Sequence, residues 1–237
     1  MSTPRSPGRN FTLGRRARTT PSPATLLGMK ALRVLGRSSS HYTRCVRIFA
    51  HEFEQAYTFE PMLDLLSCSS ADYAGNPAMR LPILIEDQDE WFGTLNICRQ
   101  LVRRAHRESE VVWPEALSDR LATNALELTL QGMATEVTLI MGTLTASATP
   151  SPYDVKNRAS LNNIVNWLDE NLESVLAQLR SDRRVSFLEV ALFCFVTHLG
   201  FRDVLDTTAW PRLRTFCQAF AERRSARATE YRFDRAV

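Results

Sequence analysis

The sequence has 237 residues and lacks three features that mark particular protein classes: a Cys-x-x-Cys pair, a long apolar run and a set of residues with metal-ligand spacing. Its five cysteines lie far apart, which excludes a dithiol redox motif and indicates reduced thiols in a cytoplasmic protein. A membrane helix needs roughly 18 consecutive apolar residues, so we expect no membrane partner. Because His51, His106 and His198 share no ligand spacing, we expect no metal. His41 could contact a substrate or tune a site at the serine turn, but we favour an exposed loop histidine.

Acidic residues are absent from residues 1–28, although this segment holds five arginines. Subtracting that charge of +5 from the net +3 of the whole chain leaves −2 for the remainder. A nucleic-acid function would therefore depend on this segment alone, and we expect no nucleic-acid partner. The segment is rich in Pro, Ser, Gly and Arg without helical or strand periodicity, which predicts a disordered basic extension. Its composition would also suit an organellar transit peptide, but we favour Met29 as the true start because the first strand follows it directly.

The pattern from residue 29 to 105 alternates short strands with amphipathic helices. Polar turn residues at 87–89 separate the last two strands, which is typical of a hairpin. The order βαβ followed by ββα predicts a thioredoxin-like domain, and the charged stretch Arg103–Glu110 predicts a linker. The predicted elements are the strands Ala31–Leu35, Tyr57–Glu60, Ile83–Glu86 and Glu90–Phe92, and the helices Tyr42–Phe53 and Leu95–Arg104.

Residues 115–230 have helical periodicity throughout and predict an all-helical domain. Ser186 and Glu189 have the spacing of a capping box ahead of an apolar helix. The arginines at 223, 224 and 227 indicate a solvated helix end. The predicted helices are Leu117–Leu144, Asn157–Leu179, Val190–Leu199 and Pro211–Arg223.

Four motifs, in this order, carry a family resemblance: the serine turn in LGRSSSHYTRCVRI, the segment N-P…R-L-P-I-L, the helix entry T-L-N-I-C-R, and the run beginning SFLEVALFCF. Together they resemble the glutathione S-transferase family, in its serine-type version, from about Lys30 to Ala228. The resemblance implies an α+β thioredoxin-like N-terminal domain followed by an all-α C-terminal helical bundle. It also implies glutathione as co-substrate and a homodimer that conjugates small electrophiles in detoxification.

By this resemblance, Ser40 would be the catalytic residue, donating its hydroxyl hydrogen to the glutathione thiolate. Ser39 is the alternative thiol ligand, and a turn that merely caps the following helix is the competing interpretation. Pro82 would follow a cis peptide bond, so that the backbone of Leu81 pairs with the tripeptide like an added strand. An ordinary proline opening an edge strand is the alternative.

The helix entry at Thr94 would bind the γ-glutamyl carboxylate through an N-cap hydroxyl and free backbone amides, although N-capping alone explains the same residue. Arg80 would either approach the ligand or remain solvated. Family members usually have an acidic residue immediately before this Thr, and here it is Gly93. The resemblance therefore implies a weaker or altered contact with the amine end of glutathione.

Three functions remain open at this stage. The first is glutathione conjugation to a small electrophile. The second is glutathione-dependent isomerisation, because the serine turn before R-V-R-I resembles the zeta class, which isomerises maleylacetoacetate; that class usually has a cysteine in the turn, and this sequence does not. The third is a non-catalytic binding module, which Gly93 favours.

Overall fold

A four-stranded mixed sheet forms the first half of the described chain. The computed structural model describes residues 31–145 and 150–235, so the predicted extension 1–28 and Met29 lie outside the described residues. The strand order is β2–β1–β3–β4, with β1 parallel to β2 and antiparallel to β3, and β3 antiparallel to β4. The strands are β1 Leu32–Gly36, β2 Thr58–Pro61, β3 Ile83–Glu86 and β4 Asp89–Phe92.

Two helices pack against each other and share a core with this sheet: α1, His41–Glu52, and α2, Thr94–Arg104. The apolar stripe predicted for the first helix is buried, including Val46 and Phe49. These elements confirm the predicted thioredoxin-like arrangement, with boundaries shifted by one residue at most positions.

The second half of the described chain is almost entirely helical, as predicted. α5 is the central helix, since it is buried along most of its length and packs against both α1 and α3. The close approach of α3 to α5 requires a glycine: a Cβ atom at Gly132 would lie 2.5 Å from Cζ of Phe195. The helices are α3 Arg120–Thr145, α4 Pro152–Ala177, α5 Phe187–Phe201, α6 Pro211–Ala221 and α7 Arg224–Arg227.

The capping box ahead of α5 is confirmed. The Ser186 hydroxyl accepts a hydrogen bond from the backbone N–H of Glu189 at 3.0 Å, and the Glu189 carboxylate accepts from the backbone N–H of Ser186 at 3.0 Å. The predicted start of the preceding long helix at Asn157 was wrong. α4 begins at Pro152, because a second capping box, between Ser151 and Asp154, starts the helix there.

Two short strands that the sequence did not predict connect the halves of the chain. β5, Val111–Val112, follows the predicted linker and pairs in parallel with β6, Val185–Ser186. The interpretation of the arginine cluster was wrong for Arg223, whose guanidinium lies 3.2 Å from the buried carboxylate of Glu52. The described chain from Ala31 packs as one compact unit, and the domain boundaries at 105 and 115 stay a prediction.

The cysteine prediction is confirmed: all five thiols are free, and four are buried. None of the helices in the described part of the chain combines the length and the apolar character needed to cross a bilayer.

Candidate functional site

The register of the sheet brings the three predicted site segments to one edge. Leu35, near the end of β1, pairs with Ile83 at the start of β3, and Ile83 also pairs with Phe92 at the end of β4. The serine turn after β1, the Leu81–Pro82 step before β3 and the Gly93–Thr94 step after β4 therefore lie side by side. The serine turn, the Leu81–Pro82 step and the Gly93–Thr94 step thus form one candidate site.

Ser40 is the N-cap of α1, so the N-capping role that competed with thiol binding is present in the structure. Its hydroxyl oxygen accepts a hydrogen bond from the backbone N–H of Thr43 at 3.3 Å. This contact uses a lone pair and leaves the hydroxyl hydrogen available for donation. Ser40 is half-buried, whereas the alternative thiol ligand Ser39 is buried. Of the two serines, Ser40 is thus the more accessible to a ligand.

The peptide bond between Leu81 and Pro82 is cis, which confirms the prediction. The loop before it is organised by the buried side chain of Asn76, a residue whose role the sequence did not reveal. Its amide nitrogen donates to the carbonyl of Arg80 at 2.8 Å, and its amide oxygen accepts from the backbone N–H of Ala78 at 3.0 Å. The Arg80 side chain is exposed.

Gly93, and not Thr94, is the N-cap of α2, so the predicted N-cap hydroxyl of Thr94 was wrong. Gly93 has φ +83°, a left-handed conformation that favours glycine, and a Cβ there would meet no neighbouring atom. The backbone conformation, and not a lack of space, therefore favours glycine at this position. A glycine has no side chain to cap the first amides of α2, and Gly93 makes no side-chain cap hydrogen bond.

A buried histidine–glutamate–histidine cluster lies directly beneath the serine turn. His41 begins α1, Glu136 lies on α3 and His198 lies on α5, and all three are buried. The expectation that His41 is exposed was wrong, because only 1% of its surface is accessible. Nε2 of His198 lies 2.8 Å from the carbonyl oxygen of Ser39, which ties the cluster to the turn. Spacing along the chain could not show a cluster that three separate helices assemble.

Burial lowers the pKa of His41, and its hydrogen bond with Glu136 acts against that shift. Burial alone would raise the pKa of Glu136, but its hydrogen bonds with His198 and His41 outweigh burial and lower it. Burial raises the pKa of Tyr42, the next residue of α1, to about 12, while the charge of Arg80 acts in the opposite direction.

No protein-family model matches the sequence, and no curated protein matches it. Solved structures do match. A glutathione S-transferase from Methylobacillus flagellatus, solved with glutathione bound, has a TM-score of 0.68 at 20% identity over 85% of this chain and 100% of that one. One from Methylobacterium radiotolerans, in complex with glutathione sulfonate, has a TM-score of 0.68 at 17% identity over 87% and 100% of the two chains. A glutathione transferase from Populus trichocarpa has a TM-score of 0.60 at 15% identity over 84% and 97%.

The chain has the glutathione transferase fold.

On this glutathione transferase fold, the C-terminal segment crosses the serine turn, a feature that the sequence did not reveal. The backbone N–H of Ser38 donates to Oδ2 of Asp234 at 2.7 Å, and the hydroxyl of Tyr231 donates to the carbonyl of Cys194 at 2.7 Å. The guanidinium of Arg44 lies over the Tyr231 ring, 4.3 Å from its centroid. Because 196 residues separate Ser38 from Asp234, no local pattern could have predicted this contact.

Proposed function

We propose that the protein is a glutathione transferase in which Ser40 activates the glutathione thiol for attack on a small electrophile. The observation that carries the proposal is the meeting of the serine turn, the Leu81–Pro82 step and the Gly93–Thr94 step at one edge of the sheet. The solved structures of the same fold that have glutathione or glutathione sulfonate bound support this ligand.

To activate the glutathione thiol, the site must bind the thiolate more tightly than the protonated thiol. A cysteine thiol has a pKa of about 8.5, and lowering it by about two units requires roughly 2.7 kcal/mol of preferential thiolate binding. The hydroxyl hydrogen of Ser40 and the N-terminus of α1 would supply this stabilisation. The thiol proton leaves to solvent, the thiolate sulfur forms a bond to the electrophilic carbon, and the electron pair of the broken bond leaves with the displaced group.

The rest of the tripeptide would be held by the other two segments. The first amides of α2, at Thr94, would bind the γ-glutamyl carboxylate, and the backbone of Leu81 beside Pro82 would pair with the peptide. Exposed Arg80 would approach a carboxylate of the ligand. Gly93 offers no carboxylate to the amine end, so we expect weaker glutathione affinity than in relatives with an acid there. We further propose a cytoplasmic homodimer that detoxifies small electrophiles.

The second candidate function is a non-catalytic module of the same fold, and Gly93 is the observation that favours it. A glutathione-dependent isomerase of the zeta type is the third, favoured by the serine turn before R-V-R-I. Retention on immobilised glutathione separates the module from both enzymes. Conjugation assays and maleylacetoacetate isomerisation assays then distinguish the two activities.

The decisive variant is Ser40→Asp, because aspartate also caps a helix but is an acceptor only and cannot donate to a thiolate. We expect stability close to wild type and a loss of kcat/KM of about 100-fold or more, in line with removal of a donor from a developing anion. Ser40→Ala should lose activity and also about 1 kcal/mol of stability.

Ser69→Ala is the matched control, because Ser69 is exposed and makes no side-chain cap for the short helical turn that follows it. Unchanged turnover in Ser40→Asp would remove Ser40 from the mechanism. Neither retention nor turnover in the wild type would leave the module as the better account.

A further inference from the structure

Three side-chain groups with metal-binding atoms converge in the buried cluster on α1, α3 and α5. Nδ1 of His41 lies 3.0 Å from Nδ1 of His198. Nδ1 of His198 lies 2.7 Å from Oε1 of Glu136, and Nδ1 of His41 lies 3.2 Å from Oε2 of the same carboxylate. The two Nδ1 atoms and the carboxylate oxygens therefore lie around one common point.

The hydrogen-bond roles of these atoms conflict with one another. The Ser39 carbonyl can only accept, so Nε2 of His198 must carry its proton. If each Nδ1 carries a proton for the carboxylate, the contact between the two Nδ1 atoms joins two donors. If only His198 carries one, the contact between His41 and Oε2 of Glu136 joins two lone pairs. With Glu136 ionised, and therefore an acceptor only, no distribution of protons on the two imidazoles makes all three contacts favourable.

A cation at the common point makes all three contacts favourable at once. A tetrahedral zinc ion with bonds of about 2.0–2.1 Å places its ligands roughly 3.3 Å apart, close to the spacing found here. Within the described residues, buried Oε2 of Glu136 has the 3.2 Å contact with Nδ1 of His41 but no well-aligned hydrogen bond, which leaves the oxygen available to a metal. His198 already has the outer partner typical of a ligating histidine, a backbone carbonyl that receives its other ring N–H.

We propose that His41, His198 and Glu136 form a binding site for a divalent transition-metal ion such as Zn²⁺, with both Nδ1 atoms and the carboxylate as ligands. Two imidazoles and a carboxylate are a donor set that zinc accepts, whereas Mg²⁺ and Ca²⁺ prefer oxygen alone. The site is buried and lies beneath the serine turn, so its role is to hold α1 against α3 and α5. It is independent of the proposed reaction at Ser40.

Metal analysis of the full-length protein tests the proposal without any activity assay. The protein is treated with a chelator, freed of it, incubated with ZnCl₂ and separated from unbound metal. We expect one zinc per wild-type chain by elemental mass spectrometry. We also expect the thermal midpoint to rise by roughly 5–10 °C when free zinc exceeds its Kd about 100-fold.

The informative variant is Glu136→Gln, which keeps the size of the side chain but removes its charge. Its amide can both donate to and accept from imidazole, so a network held by protons alone would tolerate it. We expect zinc affinity to fall by about 100-fold and the metal-dependent rise in thermal midpoint to disappear. His198→Gln is the second ligand variant and should behave in the same way.

Two controls address binding elsewhere on the surface. His106→Asn removes an exposed histidine at φ +52°, a conformation that asparagine accommodates, and Cys68→Ser removes the exposed thiol. Both should keep one zinc per chain. A wild-type protein that retains no zinc above background would overturn the proposal. Undiminished zinc affinity in a folded Glu136→Gln variant would also overturn the proposal. If that variant does not fold, the zinc stoichiometry of the wild-type protein decides.

Discussion

Gly93 shows how one residue can connect backbone conformation with ligand affinity. Its φ of +83° places it in the left-handed region, and it caps α2 at the edge of the candidate site. An acidic side chain at this position would have room but would have to adopt a conformation that L-residues rarely occupy. The backbone geometry at the start of α2 therefore favours glycine at this position.

Gly93→Ala should lower the free energy of unfolding by about 1 kcal/mol or more, because alanine is strained at this φ. Gly200→Ala is the matched control, and we expect it to change the free energy of unfolding in the opposite direction. Gly200 lies within α5, and a Cβ there would have its nearest neighbour, Oγ1 of Thr207, 3.9 Å away. This change should raise stability by roughly 0.5–1 kcal/mol, since alanine favours helix over glycine. Urea denaturation measures both; equal effects would contradict the conformational explanation.

Among the elements, α5 depends most on its first turn, because it enters the core there. The Glu189 carboxylate caps Ser186 and also receives two hydrogen bonds from the guanidinium of Arg183, at 2.8 Å and 2.6 Å. Burial would raise the pKa of Glu189, but the pairing with Arg183 and the hydrogen bonds to Ser186 outweigh burial and lower it. The folded state therefore stabilises the charged form of the Glu189 side chain.

This lowered pKa gives a pH prediction with a definite sign. The stabilisation by charged Glu189 is complete above the usual glutamate pKa of about 4.5 and is lost as pH falls through the lower pKa of the folded state. The difference in unfolding free energy between wild type and Glu189→Gln should therefore be constant at neutral pH. It should shrink below about pH 4.5. Denaturation of both proteins from pH 7 to 3 measures it, and a difference that grows on acidification would contradict the assignment.

Across the whole molecule, Glu52 is the buried charge that joins the end of α1 to distant segments. Its carboxylate lies 3.0 Å from Nε of Arg184 and 3.2 Å from Nη1 of Arg223, and it accepts a hydrogen bond from the hydroxyl of Ser225 at 2.6 Å. The carboxylate thus joins the end of α1 to the residue before β6 and to the start of α7.

Glu52→Gln should lower the unfolding free energy by about 2–4 kcal/mol, because it leaves two arginines without their compensating charge. Glu54→Gln is the control, because Glu54 lies two residues away but is exposed; it should change stability by no more than about 0.5 kcal/mol. Chemical denaturation at neutral pH compares the two. A similar small loss in both variants would show that the buried pairing contributes little.

Much of the fold could be predicted because its signals are local. Strand alternation, helical periodicity and the capping box at Ser186 depend on residues a few positions apart, and the structure confirms them. The cis peptide bond between Leu81 and Pro82, which the family resemblance implied, is also present. Two failures are local, the start of α4 and the N-cap of α2. The others concern contacts between distant segments: the pairing of β5 with β6, the burial of His41 beside Glu136, and the pairing of Arg223 with Glu52. A charged or imidazole side chain ordinarily predicts solvent exposure. The partner that allows such a side chain to be buried comes from a distant segment and is visible only in the folded chain.

The contact between Ser38 and Asp234 bears on how the protein can be divided for experiments. The serine turn belongs to the thioredoxin-like half by sequence order, yet its backbone N–H is satisfied by a carboxylate 196 positions later. A fragment that ends near residue 105 would carry Ser40 but expose an amide that the intact chain covers. The excised thioredoxin-like half would therefore lack a contact of its serine turn, and titrations on such a fragment would report on a turn that differs from the one in the full chain.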